Sequence, residues 1–379
     1  MRHLFSTITV LSALLLFTWS HKVWAQPADP FWFGVDMGWL TQYEAQGWKC
    51  HDTDGNERET MELMGSYGVN AERIRVWVDP SKYGNWCGKE DVLQKCLRAK
   101  ALGQEIMIDF HYSDWWADPA KQNIPAAWEG HSYKQMKKDL SQHTIEVLTL
   151  LKQNGITPRW VQVGNETSNG MLWNVKKDPR TGWELKDENG NTQITESMGH
   201  AERNPEQYAG FFQAGYKAVK KVFPKAIVIV HLDNGFDNDL YNWNLDILRR
   251  NGAKFDMIGM SLYPYWSMQS GKEPSAEKTI DDGIRNIQLV SQKYGCDVMI
   301  TETGFEVDER HPEKMQEGYN QLTSLIRRCY EETNGRCKGI FYWEPECRPG
   351  QYKLGAFTSN GSPTIIMNAY REQSKLINR

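Results

Sequence analysis

Short apolar runs recur along the chain at Phe33–Met37, Arg73–Val78, Ile106–Phe110, Trp160–Val163, Ala226–Leu232, Met257–Leu262, Val298–Thr301 and Gly339–Trp343. Each has the length and β-branched content of a buried strand. Between them lie stretches with helical periodicity, such as Tyr133–Asn154, Pro205–Val222, Asp239–Asn251, Ala276–Tyr294 and Pro312–Glu332. Eight rounds of strand then helix predict a closed parallel (β/α)8 barrel. A doubly wound open sheet is the competing layout, but no Gly-rich phosphate loop follows the first run. The polar stretch 176–204 reads as a hairpin or long loop inside one domain.

The ends of these runs carry a second pattern. Polar or aromatic residues stand at or just past nearly every one: Asp36, Asp109 with His111, Asn165 with Glu166, His231 with Asp233 and Asn234, Tyr263, Glu302, and Trp343 with Glu344. In a barrel these C-terminal ends share one rim, where active sites sit. Any one of them taken alone would be an ordinary solvated loop residue.

Composition narrows the chemistry. The 379 residues carry a formal net charge of −4, so no basic footprint points to nucleic acid or an anionic membrane. Aromatic residues are abundant, with 16 Trp, 16 Tyr and 13 Phe. Their faces suit either a large core or the apolar faces of sugar rings. Trp115, Trp116 and Trp128 are open to both roles, and Trp77 reads as packing. Arg2 and His3 precede an apolar run from Leu4 to Trp19, with Ala25 at a cleavage-like position. Residues 1–25 therefore read as a secretory signal peptide, and 26–379 as an exported catalytic domain. No later segment is apolar enough to span a bilayer. The seven Cys leave at least one thiol unpaired. Cys87 with Cys96, and Cys329 with Cys337, are close enough in sequence to pair. None has zinc-site spacing, and only His111 and His231 stand at strand ends as metal ligands, so no metal is expected.

Two carboxylates stand out. Glu166 ends Val163-Gly164-Asn165-Glu166 after the fourth run, and Glu302 ends Met299-Ile300-Thr301-Glu302 after the seventh. Strands four and seven face each other across a barrel mouth. A protonated carboxyl opposite an ionised one is what glycoside hydrolysis requires. Arg73 and Arg75, at alternating positions of the second run, point to the same side of the strand. Either would keep a nearby carboxylate ionised.

These motifs resemble clan A glycosidases. Within the clan, Gly34-Val35-Asp36, Tyr43-Glu44-Ala45-Gln46-Gly47, Arg73-Ile74-Arg75-Val76-Trp77-Val78, Asp109-Phe110-His111-Tyr112-Ser113-Asp114 with Trp116-Ala117-Asp118-Pro119, His231-Leu232-Asp233-Asn234-Gly235 and Thr301-Glu302-Thr303-Gly304 are similar to the endo-β-1,4-galactanases of glycoside hydrolase family 53. The likeness spans about residues 30–345. It implies retaining endo-hydrolysis of β-1,4-galactan, the pectin side chain and type I arabinogalactan backbone, with no cofactor required; a monomer is expected, and the alternatives are another clan A retaining endo-glycanase acting on mannan, xylan or glucan, or a non-catalytic carbohydrate-binding barrel. Residue by residue, it makes Glu166 the acid/base and Glu302 the nucleophile. Asn165 would hold the substrate 2-hydroxyl, Tyr263 would bond the nucleophile, and Trp343 would stack on sugar. Asp36, Asp109 and His111 would line the innermost subsite, with His231 and Asn234 as further sugar-binding residues. Asn70-Ala71-Glu72-Arg73 matches the clan spacing for the arginine beside the nucleophile. Some bacterial members carry a long loop after strand eight tied down by calcium. Here only about 20 residues, Glu344 to Pro363, precede the last helix, which puts an inherited calcium site in doubt.

Overall fold

The computed structural model describes residues 30–181, 184–190 and 192–378. The signal peptide read at 1–25 lies outside the described residues. Eight parallel strands form a closed barrel: β1 (Trp32–Asp36), β2 (Ala71–Val76), β3 (Glu105–Phe110), β4 (Trp160–Val163), β5 (Ile227–Leu232), β6 (Met257–Ser261), β7 (Asp297–Thr303) and β8 (Cys337–Trp343). Neighbours in the ring are neighbours in sequence, and β1 closes on β8 with Trp32 opposite Gly339 and Asp36 opposite Trp343. All eight apolar runs are strands, so the barrel expectation holds and the open sheet is excluded.

Helices return the chain outside the barrel, and local chemistry sets their ends. Ser132 caps Tyr133–Gln153 by accepting from the Gln135 amide, and Ser275 caps Ala276–Tyr294 in the same way. Pro205 and Pro312 open Pro205–Val222 and Pro312–Glu331, where a missing N–H costs nothing. Gly295, with φ 70°, ends Ala276–Tyr294 in the left-handed region.

The barrel interior is built in two layers. At the lower end every strand contributes one side chain to an apolar plug: Trp32, Ala71, Met107, Trp160, Ile229, Met257, Met299 and Phe341. Trp160 meets Trp32 edge-on at 5.2 Å and Phe341 at 6.2 Å. A Cβ on Gly34 would come within 2.3 Å of the Phe341 ring, so β1 needs glycine there for space. Two residues further along their strands, the period of the pleat brings Arg73, Asp109, Gln162 and His231 inward, and on β1 Asp36 follows two positions beyond Gly34. The plug excludes water from below, so this polar layer sits in a low-dielectric floor.

Residues 176–204 do contain a hairpin. Asn174–Val175 pairs antiparallel with Ile194–Glu196, and bridges join Lys177 to Glu184 and Lys186 to Thr192. The cysteine pairings are not formed. All seven thiols are free. Cys87 lies instead against the Gly38 carbonyl at 3.5 Å and Lys95 Nζ at 3.9 Å. Cys329 and Cys337 do approach, as hydrogen-bonded thiols. No helix among the described residues is long and apolar enough to cross a membrane.

Candidate active site

The rim above the polar layer opens into a cleft of about 410 Å3, lined by Glu166, Glu302, Asn165, His111, Asn234, Tyr263 and Trp343 among others. Four non-glycine residues just past strand ends have positive φ: Tyr112 at 52°, Glu166 at 45°, Asn234 at 47° and Glu344 at 46°. Backbone strain of this kind persists only where the surroundings enforce it, and it collects at functional rims.

Arg73 organises the floor. Nη1 lies 2.9 Å from Glu302 Oε1 and 2.6 Å from Asp36 Oδ2. Nη2 donates to Asp109 Oδ2 and Asn165 Oδ1, both at 2.8 Å. Nε donates to Gln162 Oε1 at 3.2 Å. Tyr263 donates its hydroxyl to Glu302 Oε2 at 3.0 Å. Burial pushes the Glu302 carboxyl up to about 7, against the pull of Arg73, with Asp36 and Asp109 adding to the rise and the Tyr263 bond opposing it. Glu166 is pushed well above the usual carboxyl range by burial, then by the charges of Glu302 and Asp233. No cation is among the groups that shift Glu166 most. A single proton shared by the pair therefore rests on Glu166, and Glu302 carries the charge.

His231 braces the Glu166 side. Burial drives the His231 pKa well below its ordinary value. Gln162 Nε2 donates to His231 Nδ1 at 2.9 Å, which leaves the proton on Nε2, 2.8 Å from Ser261 Oγ. Ser261 in turn donates to Glu166. His111 accepts from the Ala117 amide at Nδ1 (3.1 Å), so Nε2 faces Asp109 Oδ2 as donor at 3.1 Å. Among the described residues Glu166, His231 and Glu302 offer a group of metal-type ligand atoms. Both His231 nitrogens are already engaged, so a cation there would have to break those hydrogen bonds.

Residues 32–371 match the model of Glycosyl hydrolase family 53. The chain belongs to this family. It is 28% identical over 332 residues to the arabinogalactan endo-beta-1,4-galactanase of Humicola insolens, covering 82% of this chain and 88% of that one. It is 27% identical over 338 residues to the endo-beta-1,4-galactanase of Bacillus subtilis, covering 83% and 70%. The solved family 53 catalytic domain of Ignisphaera aggregans superposes with a TM-score of 0.76 at 29% identity, covering 92% and 97%. The chain is a glycoside hydrolase on a (β/α)8 barrel.

Within this family 53 site the residues singled out from sequence divide into two sets. Glu166, Glu302, Asn165, His111, Asn234, Tyr263 and Trp343 reach the cleft wall. Asp36, Arg73, Arg75, Asp109 and His231 do not line it; all five are buried beneath it. Their inward pleat positions lie below the rim, so they hold the wall residues rather than face solvent. Arg75 in particular does not reach Glu302. It pairs with Glu344 and lies under the Trp116 ring at 4.3 Å. Trp116 lines the cleft, while Trp115 packs on Trp77 and Trp128 is buried. Gln162, Ser261, Trp266 and Tyr352 were not singled out. Gln162 had a signal, a lone amide in an otherwise apolar run. Trp266 sits on the short helix Pro264–Gln269 and Tyr352 on a loop, and their contact (3.4 Å between indole nitrogen and hydroxyl) joins positions 86 residues apart.

Proposed function

We propose that this enzyme cleaves internal β-1,4-galactosidic bonds of galactan and type I arabinogalactan with retention of configuration. One observation carries the mechanism: carboxylate oxygens of Glu166 and Glu302 lie within 4.8 Å of each other. Retaining pairs stand about 5–5.5 Å apart, whereas inverting pairs need about 6.5–9.5 Å to admit a water. The galactanase relatives support the choice of sugar.

Glu302, charged and aimed by Arg73 and Tyr263, attacks the anomeric carbon. Glu166 delivers its proton to the departing glycosidic oxygen. A galactosyl ester forms on Glu302. Glu166, now ionised, takes a proton from water, which hydrolyses that ester. No step calls for a cofactor. We place the mature chain outside the cytoplasm after cleavage near Ala25, acting as a monomer.

The test is reducing-end release from linear β-1,4-galactan beside mannan, xylan and glucan, with the product anomer followed by NMR. Galactan should be hydrolysed with β-product first, and Glu302→Ala and Glu166→Gln should lose that activity. Preference for another glycan would overturn the substrate, and first-formed α-product the mechanism.

A further inference from the structure

Beyond Glu166 the cleft does not end at the catalytic rim. It shares Pro119, Asp233 and Asn234 with a second cavity of about 1000 Å3. That volume is at the upper end of what encloses a ligand of a few rings, about 300–1000 Å3. Its floor is Ser168 and Asn169, in the turn Thr167–Asn169 that directly follows Glu166. Asn169 Nδ2 fixes this turn to the Pro119 carbonyl at 2.8 Å. The far wall is Thr192, Gln193 and Ile194 of the hairpin inserted after β4. Trp173 and His200 pack ring to ring at 5.3 Å along the side. Trp173 is 2% exposed, and its indole N–H has no hydrogen-bond partner. A buried donor left unmet costs free energy that a ligand acceptor would restore.

The position fixes which part of a substrate reaches this space. Glu166 protonates the oxygen of the leaving chain, so that chain departs on the Glu166 side. The turn after Glu166 and Asp233 from the end of β5 both lie there. The lining fixes the chemistry. Four carboxylates, Asp187, Glu202, Asp233 and Asp237, face only two cations, Lys272 and Arg203, and burial lowers the His200 pKa, so the lining repels anions. Such a surface suits a neutral chain rich in hydroxyls rather than a polyanion.

We propose that the hairpin cavity is a distal binding site for the leaving, reducing-side stretch of a neutral β-linked glycan, and that it makes turnover depend on chain length. This rests on the galactan reading above. The enzyme should gain about tenfold or more in kcat/KM as galacto-oligosaccharides lengthen on the reducing side, a factor that about two neutral hydrogen bonds supply.

The test compares wild type with two variants. In one, residues 177–192 are replaced by a two-residue turn, which keeps the ladder of Asn174–Val175 with Ile194–Glu196. The other is Arg203→Ala with Lys272→Ala. Each is assayed on an aryl β-galactobioside, which leaves the cavity empty, and on galacto-oligosaccharides of increasing length. The expected result is unchanged aryl-glycoside turnover with the length dependence flattened in the hairpin variant and reduced in the double variant. Intact length dependence in both variants overturns the proposal. If the hairpin variant also loses aryl-glycoside turnover, the double variant decides alone. Wild type inert on galactan of every length overturns the galactan reading instead, and with it the occupant named here.

Discussion

Arg73 and Glu302 face each other at 2.9 Å in the barrel floor, and the same guanidinium also holds Asp36 and Asp109. One cation thus serves three carboxylates in a buried layer. Removing it leaves those charges unpaired, which costs about 3–5 kcal/mol for a single buried pair. Arg73→Ala should therefore lower the unfolding free energy by at least that amount, measured by denaturant titration. Arg73→Lys keeps the charge and loses the planar fork that reaches five partners. It should remain folded while kcat falls about 10²-fold, the scale of a small misplacement of reacting groups.

The pH dependence follows from the carboxyl pair. The proposed mechanism needs Glu302 ionised and Glu166 protonated. The kcat/KM profile should fall on the acid side through a pKa near 7, set by Glu302, and on the alkaline side through the higher pKa of Glu166. Stability runs in one direction only. A carboxyl whose folded pKa is raised favours the native state at low pH and loses that advantage as pH rises through the folded value. For Glu302 the loss falls between about 4.5 and 7 and amounts to at most about 3 kcal/mol. Glu302→Gln lacks this loss, so its stability relative to wild type should improve from pH 4 to pH 8. Parallel stability curves for the two proteins would contradict this.

Ser261 connects Glu166 to His231, and its hydrogen bond favours the ionised form of Glu166. Ser261→Ala should raise the Glu166 pKa further, so the alkaline limb of the activity profile moves to higher pH. The acid limb should stay in place, because Glu302 is set by Arg73 and Tyr263. A merely structural serine would lower the rate at every pH and leave both limbs unmoved.

How far the site was legible in sequence depends on how each residue is placed. Glu166 and Glu302 end short apolar runs, and strand count alone puts them on opposite sides of the mouth. Asp109 and His231 stood out by their place at strand ends, and Arg73 by its alternation with Arg75, a period of two. What that period does not give is height. Asp36, Asp109 and His231 were read as sugar contacts, yet they lie one step below the rim. Nor does it choose between Arg73 and Arg75, which share a face and differ only in partner. Residues placed by loops left least trace: Tyr352 and Trp266 meet through tertiary folding, and the short helix Pro264–Gln269 that carries Trp266 has too few turns for a periodic signal.

Arg75 shows what the other inward arginine does. Its guanidinium lies 4.3 Å from the Trp116 ring and 5.5 Å from those of Trp39 and Trp77. Trp39 and Trp116 in turn pack on Trp343, at 5.2 and 5.9 Å. One buried cation, neutralised by Glu344, thus props the aromatic wall of the cleft from behind. Cation–π contacts of this desolvated kind are worth up to about 2 kcal/mol. Arg75→Lys keeps the charge near Glu344 but loses the flat face beneath Trp116. On the reading that Trp343 stacks on sugar, loosening it weakens ground and transition states alike, so KM should rise severalfold with little change in kcat. Arg73→Lys should do the reverse. Steady-state kinetics on galactan would separate the two arginines, and a kcat defect of equal size in both would show that Arg75 also acts on the reacting carboxylates.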